Sequence, residues 1–181
     1  MTFPEMGEFP VRDQLPVSYY RDIGRVIFHW ARLENELKDV IYTLLAIDRI
    51  EGRIAVSTPR ADQIVERIAD LISIKGLTTK VKLKEYQSAV QILRVGRDTI
   101  AHGIWVDHSG SKNPVLQRVR GSISPKPGQK KASARIFPGA LDVEPGDLRT
   151  TAQQIKHLIG IALTLKEEMK TQTQGPRQES P

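Results

Sequence analysis

The chain has 181 residues, with 27 Lys and Arg against 21 Asp and Glu for a net charge of +6, and no cysteine. That length suits one domain with a core of its own, and the absence of cysteine excludes a disulfide framework and a thiolate metal site. No apolar run approaches the roughly 18 residues needed to cross a bilayer. The stretch from Met1 to Pro16 carries Glu5, Glu8 and Asp13 and lacks the basic start and apolar block of a signal peptide, so the expectation is a cytoplasmic protein with no membrane partner.

Residues 1–16 read as an extended, proline-rich lead. From Val17 to about Ile47 the apolar residues Ile23, Val26, Ile27, Trp30, Leu33, Leu37, Ile41, Leu44 and Leu45 recur in steps of three and four, which is one face of a helix. Ser57-Thr58-Pro59 is a helix start, a hydroxyl cap followed by proline in the first turn. Ile64, Ile68, Leu71 and Ile72 form the second stripe, and Gly76 is a stop. A third helix from about Lys80 carries Leu83, Tyr86, Val90, Leu93, Arg97, Ile100 and Ile104, so an arginine stands where a core residue belongs.

After Gly103 the period changes. Ile104–Val106, Val115–Val119 and Ala134–Phe137 are short, β-branched or aromatic, and bounded by Gly, Pro, Ser and Asn, which predicts strands or a hairpin. Residues 122–131, with Pro125, Pro127 and Gly128, read as a mobile tip. The last helix starts near Pro145 and buries Leu148, Ala152, Ile155, Ile159, Ala162, Leu165 and Met169. Residues 171–181 read as a disordered polar tail. The expected fold is mainly α: a four-helix up-down bundle over residues 17–170, with a small β hairpin insert at about 104–141 between the third and fourth helices.

The basic excess sits in that insert. Lys112, Arg118, Arg120, Lys126, Lys130, Lys131 and Arg135 fall between His108 and Leu141 with no Asp or Glu among them. The rest of the chain balances to −1 (20 cations, 21 anions). Such a segment is either a solvated loop or an attractor of polyanions, RNA or a nucleotide above all.

The chemistry concentrates in Arg94, Arg97, Asp98 and His102. A guanidinium stays charged, and a buried charge needs a partner. Glu34, beside the apolar face of the first helix, is the expected partner of Arg97, either as a register-fixing ion pair or as support for a site. Asp98 and His102 are four apart and share one side of the helix. Asp98 either orients the imidazole, or belongs with Arg94 to a surface ladder near a helix C-terminus, where cations suit the dipole. Arg97 and His102 lie about 140° apart around an ideal helix. They converge only where the helix ends, or when a second protomer completes the site. His29, His108 and His157 lack metal-ligand spacing, no glycine-rich phosphate loop is present, and Ser109 and Ser111 have no triad partners. No metal or cofactor is therefore expected. Trp30 and Trp105 read as core.

The segment Arg97-Asp98-Thr99-Ile100-Ala101-His102 resembles the signature of HEPN domains, in which an arginine, often followed by a polar residue, precedes a histidine by a few positions. His102-Gly103-Ile104-Trp105 and Trp30-Ala31-Arg32-Leu33-Glu34 also look like uncharacterised bacterial HEPN-like proteins. The resemblance implies a helical domain over roughly residues 17–170. It implies a metal-independent endoribonuclease, of a defence or toxin–antitoxin system with a cognate inhibitor protein, in which Arg97 holds the scissile phosphate and His102 moves a proton. It also implies a homodimer with a composite site. Many such relatives are non-catalytic RNA-, nucleotide- or protein-binding modules, which is the alternative.

Overall fold

The computed structural model describes residues 12–55, 60–107, 113–121 and 134–173. Among them the protein is mainly helical: α1 (Val17–Leu45), α2 (Arg49–Ala55), α3 (Ala61–Ile74), α4 (Leu83–His102) and α5 (Pro145–Thr173). Strands β1 (Ile104–Val106), β2 (Val115–Gly121) and β3 (Ala134–Asp142) lie between α4 and α5 as an antiparallel sheet in the order β1-β2-β3. The insert is thus three-stranded rather than a hairpin. The Ser57–Pro59 start signal lies outside the described residues. Within them α3 begins after Arg60, whose backbone N–H donates to the Gln63 side chain at 3.1 Å.

The four long helices share one core. Trp30, Leu33 and Leu37 of α1 meet Ile64 and Ile68 of α3, Tyr86 and Val90 of α4, and Ile155 and Leu165 of α5, all essentially inaccessible to water. Each such aliphatic side chain contributes about 2 kcal/mol by leaving water. A second cluster of Leu15, Tyr19, Leu116, Val143 and Leu148, with Trp105 and Ile100 against it, fastens the sheet to the α1–α5 end. The described end of the lead, from Arg12, is part of this layer: Arg12 N–H donates to the Trp105 carbonyl at 2.9 Å, and Leu15 is buried.

The helices do not alternate up and down. Asp22 binds Arg149 and Asp39 binds Lys166, both pairs 127 residues apart, so α1 and α5 run parallel. Tyr86 Oη donates to the Leu158 carbonyl, and Thr79, just before α4, donates to Glu168, so α4 runs against α5. Asp62, in the first turn of α3, meets Arg94 in the second half of α4, so α3 runs against α4. Three helices therefore share one direction, because the chain must double back between α1 and α3. The short helix α2 begins that return. It is capped by Asp48, which accepts from the N–H groups of Ile50 and Glu51 at 2.7 and 2.9 Å. Arg49 reaches back to Asp39, and Gly52 passes so close to the Tyr42 ring that any Cβ there would collide with it. At seven residues α2 is too short to show a helical period, and its mark in the sequence is the start signal of Asp48 followed by Glu51.

The sheet tolerates proline because β3 is an edge strand. Pairing is regular from Val115↔Asp142 to Gln117↔Ala140, breaks opposite Arg118, and resumes at Val119↔Ile136, with Pro138 and Gly139 in the break. The expected tail also shortens: residues 171–173 continue α5, with Gln172 bonded to the Thr78 backbone.

Candidate functional site

The α4 segment that carries the expected site holds a ladder of alternating charge. Asp98 Oδ2 accepts from Arg94 at 3.1 Å, and its Oδ1 accepts from Arg97 at 3.0 Å. Arg94 Nε lies 3.4 Å from Asp62 Oδ1 on α3, and Arg60 closes the far end on Asp62 Oδ2 at 3.4 Å. The Arg94 and Arg97 side chains are only 21% and 25% exposed. Arg94 Nε, Arg97 Nε and Asp62 Oδ1 are buried without a hydrogen-bond partner among the described residues.

Two expected contacts are not formed. Glu34 does not pair with Arg97; it accepts from Trp30 Nε1 at 2.8 Å, one turn away on its own helix. A tryptophan N–H buried in the core needs an acceptor, and Glu34 supplies it locally. Arg97 satisfies its charge equally locally, on the adjacent Asp98. Nor does Asp98 orient His102. The spacing places them on one side of α4, but two guanidiniums, which donate charge-assisted bonds, engage both carboxylate oxygens. His102 is the last residue of α4 and exposed. The chain then turns at Gly103, whose missing Cβ leaves room for Leu116 and the Thr99 carbonyl, and enters β1 directly. The candidate proton carrier and the sheet therefore adjoin at one end of the bundle. The Arg97 and His102 positions remain on different sides of α4.

The insert is described in part. Arg118 and Arg120 stand on β2 and Arg135 on β3, with Arg120 and Arg135 as register partners. Lys112, Lys126, Lys130 and Lys131 lie outside the described residues, as do His108, Ser109, Ser111 and the proline-rich tip. Trp30 is core, as expected, and Trp105 packs edge-on against Tyr19 with ring centroids 5.7 Å apart. His157 is exposed.

A second charged cluster, absent from the sequence-based expectations, lies where α1 meets the start of α5. Asp22 is fully buried, and three arginines converge on it: Arg25 at 3.1 Å, Arg149 at 3.2 Å and Arg21 at 3.6 Å, each more than half exposed. A signal was available. Asp22, not Ile23, continues the frame Tyr19, Val26, Trp30, Leu33, Leu37 that is buried in full. Further along the same seam His29 is held below the ordinary imidazole range by burial and by the charges of Lys156, Arg32 and Arg25. Beyond it, Lys166 bridges Glu36 and Asp39 at 3.3 and 3.1 Å. Burial pushes the Asp39 carboxyl up, but bonds from Arg49 and Lys166 outweigh it and hold the group below its usual range.

Comparison with protein-family models, with characterised proteins and with solved structures finds no match. Among the described residues no helix is long and apolar enough to cross a membrane.

Proposed function

We propose that this chain is an HEPN-like domain that binds RNA where α4 passes into the basic sheet, and that it cuts RNA there without a metal ion. The observation that carries the reading is the junction itself: exposed His102 ends α4 two residues before the first strand of the insert that holds the basic excess. Arg120 and Arg135 are register partners on that sheet. Arg97 would grip the scissile phosphate and His102 would move a proton at the 2′-hydroxyl or leaving oxygen.

Because Arg97 and His102 occupy different sides of α4, the cutting site needs a second protomer. The outward face of α4 supports a homodimer: exposed Ile92 and Val95 lie near the helical face that also carries His102. The reading extends to a defence or toxin–antitoxin role with an inhibitor protein, and to a cytoplasmic setting. A bundle of HEPN type would use the four long helices, with α2 and the sheet as additions.

A second reading, binding without cleavage, is favoured by one observation: Asp98 is engaged by Arg94 and Arg97 and leaves the imidazole unoriented. The test is parent against His102→Ala on mixed RNA in the presence of EDTA. Cleavage by the parent alone, leaving 2′,3′-cyclic or 3′ phosphates, supports the nuclease. RNA binding with equal trace cutting by both proteins selects the binding module.

A further inference from the structure

The seam between α1 and α5 carries a larger and more exposed cation surplus than the ladder on α4. One buried carboxylate, Asp22, faces three guanidiniums, so two positive charges are left over, and all three arginines are more than half open to water. A buried acid in this position holds the arginine stems in place while their remaining N–H groups stay available.

Exposed cations continue along the seam. On α1, Arg21, Arg25, Phe28 and Arg32 follow at steps of four, three and four, which is one face of a helix over about 16 Å; Arg32 is half exposed and lies a loose 3.9 Å from Glu36. On the parallel α5, Arg149 and Lys156 are seven apart and share a face. The 127-residue offset fixed by the Asp22–Arg149 and Asp39–Lys166 bonds brings Lys156 level with His29. The field of Arg25, Arg32 and Lys156 reaches that imidazole, whose Nδ1 is buried with no hydrogen-bond partner among the described residues.

Phe28 sits in the middle of this face and is 64% exposed. It also forms a wall, with Arg32, Asn35 and Arg53, of a groove of about 720 Å³ between α1 and α2, which Glu36 and Asp39 line as well. A lone exposed phenylalanine is ordinary on a protein surface. One set between Arg25 and Arg32, at the lip of a groove, offers a stacking face flanked by phosphate-binding groups. That is how proteins hold single strands with little regard to base sequence.

We propose that the α1–α5 seam is a binding track for single-stranded RNA, with Arg25, Arg32, Arg149 and Lys156 on the phosphates and Phe28 stacked on a base. The track rests on the RNA reading above but uses none of the residues of the α4 junction or the insert. It continues toward them, since the sheet is fastened over the same α1–α5 end through Tyr19, Leu116, Val143 and Leu148.

The test measures binding of a short oligouridine RNA as a function of salt for four proteins: parent, Arg25→Gln/Arg32→Gln/Lys156→Gln, Phe28→Ala, and Lys126→Gln/Lys130→Gln/Lys131→Gln. Circular dichroism melts check that each is folded; Arg32 and Lys156 are exposed, and the double variant of those two serves if the triple variant is unstable. The seam variant is expected to bind at least tenfold more weakly. Its log–log salt slope should be shallower by about 0.7 for each phosphate it no longer neutralises. Phe28→Ala is expected to lose fivefold or more with the slope unchanged, because stacking releases no counterions. Parent-like affinity and slope in the seam variant, with weakening confined to the insert variant, overturn the track and leave the RNA reading intact. Failure of the parent to bind RNA overturns both.

Discussion

Two arginine clusters of similar composition face opposite tasks. On α3 and α4, Arg60, Asp62, Arg94, Asp98 and Arg97 alternate in sign, and the two arginines on α4 are largely buried. Two acids offset two of the three arginines, and the cluster clamps two helices. On α1 and α5 a single buried acid meets three half-exposed arginines, and most of the positive field points outward. Residue type does not separate a structural guanidinium from an available one. The ratio of acids to arginines, and the exposure of the arginine ends, do.

The largest expected effect breaks the clamp. Asp98→Ala strips both guanidiniums of α4 of an acceptor while they remain mostly buried, and should cost about 3 kcal/mol. Asp22→Ala removes an acid whose partners can swing into water, so the destabilisation should be smaller, about 1–2 kcal/mol. Urea unfolding of the two variants ranks them, and the reverse order would undo the contrast between the clusters. Glu34→Ala is expected to cost about 1–2 kcal/mol, from leaving Trp30 Nε1 without its acceptor. Arg97→Ala on that background should add its full separate cost, since a double-mutant cycle shows no coupling between residues that do not touch.

Neutralising one acid in each cluster gives a finer test. Asp22→Asn keeps the shape and adds one positive charge to the seam, so RNA affinity should rise and the salt slope steepen. Asp62→Asn, at the end of the ladder away from Arg97, should leave both nearly unchanged. The smallest effect concerns His29. Its folded pKa lies below the unfolded value of about 6.5. The unfolded chain therefore binds more protons between the two values. The stabilisation is complete above the unfolded pKa and is lost as pH falls through that window. Proton NMR should show His29 titrating below the ordinary range. Arg25→Gln/Lys156→Gln should recover part of the shift, the remainder belonging to burial, its largest cause.

Much of the fold was legible because it rests on period. The stripes of the four long helices and the three short β-rich runs each appear where the residue spacing places them. Helix α2 and the parallel course of α1 and α3 were not legible in that way. A seven-residue helix has no period to read, and direction is set by contacts such as Asp39 with Arg49 that join distant residues. The candidate site was legible in position but not in pairing. Arg97 does stand in a core frame, but a neighbour one residue away, Asp98, takes the charge expected to go to Glu34 across the bundle. Local acceptors cost less chain entropy to bring together than distant ones, and they win at both residues. Asp22 is hard to see in the sequence because an apolar neighbour, Ile23, fits a helical stripe nearly as well.

The most direct test of the account is to locate bound RNA. A 4-thiouridine RNA photocrosslinked to the parent protein and mapped by mass spectrometry should leave adducts on the α1 stretch 21–32, at or beside Phe28, and on the α4 junction and first strand, residues 102–106. Adducts confined to α2, α3 or the C-terminal half of α5, with those two stretches unmodified, would contradict it.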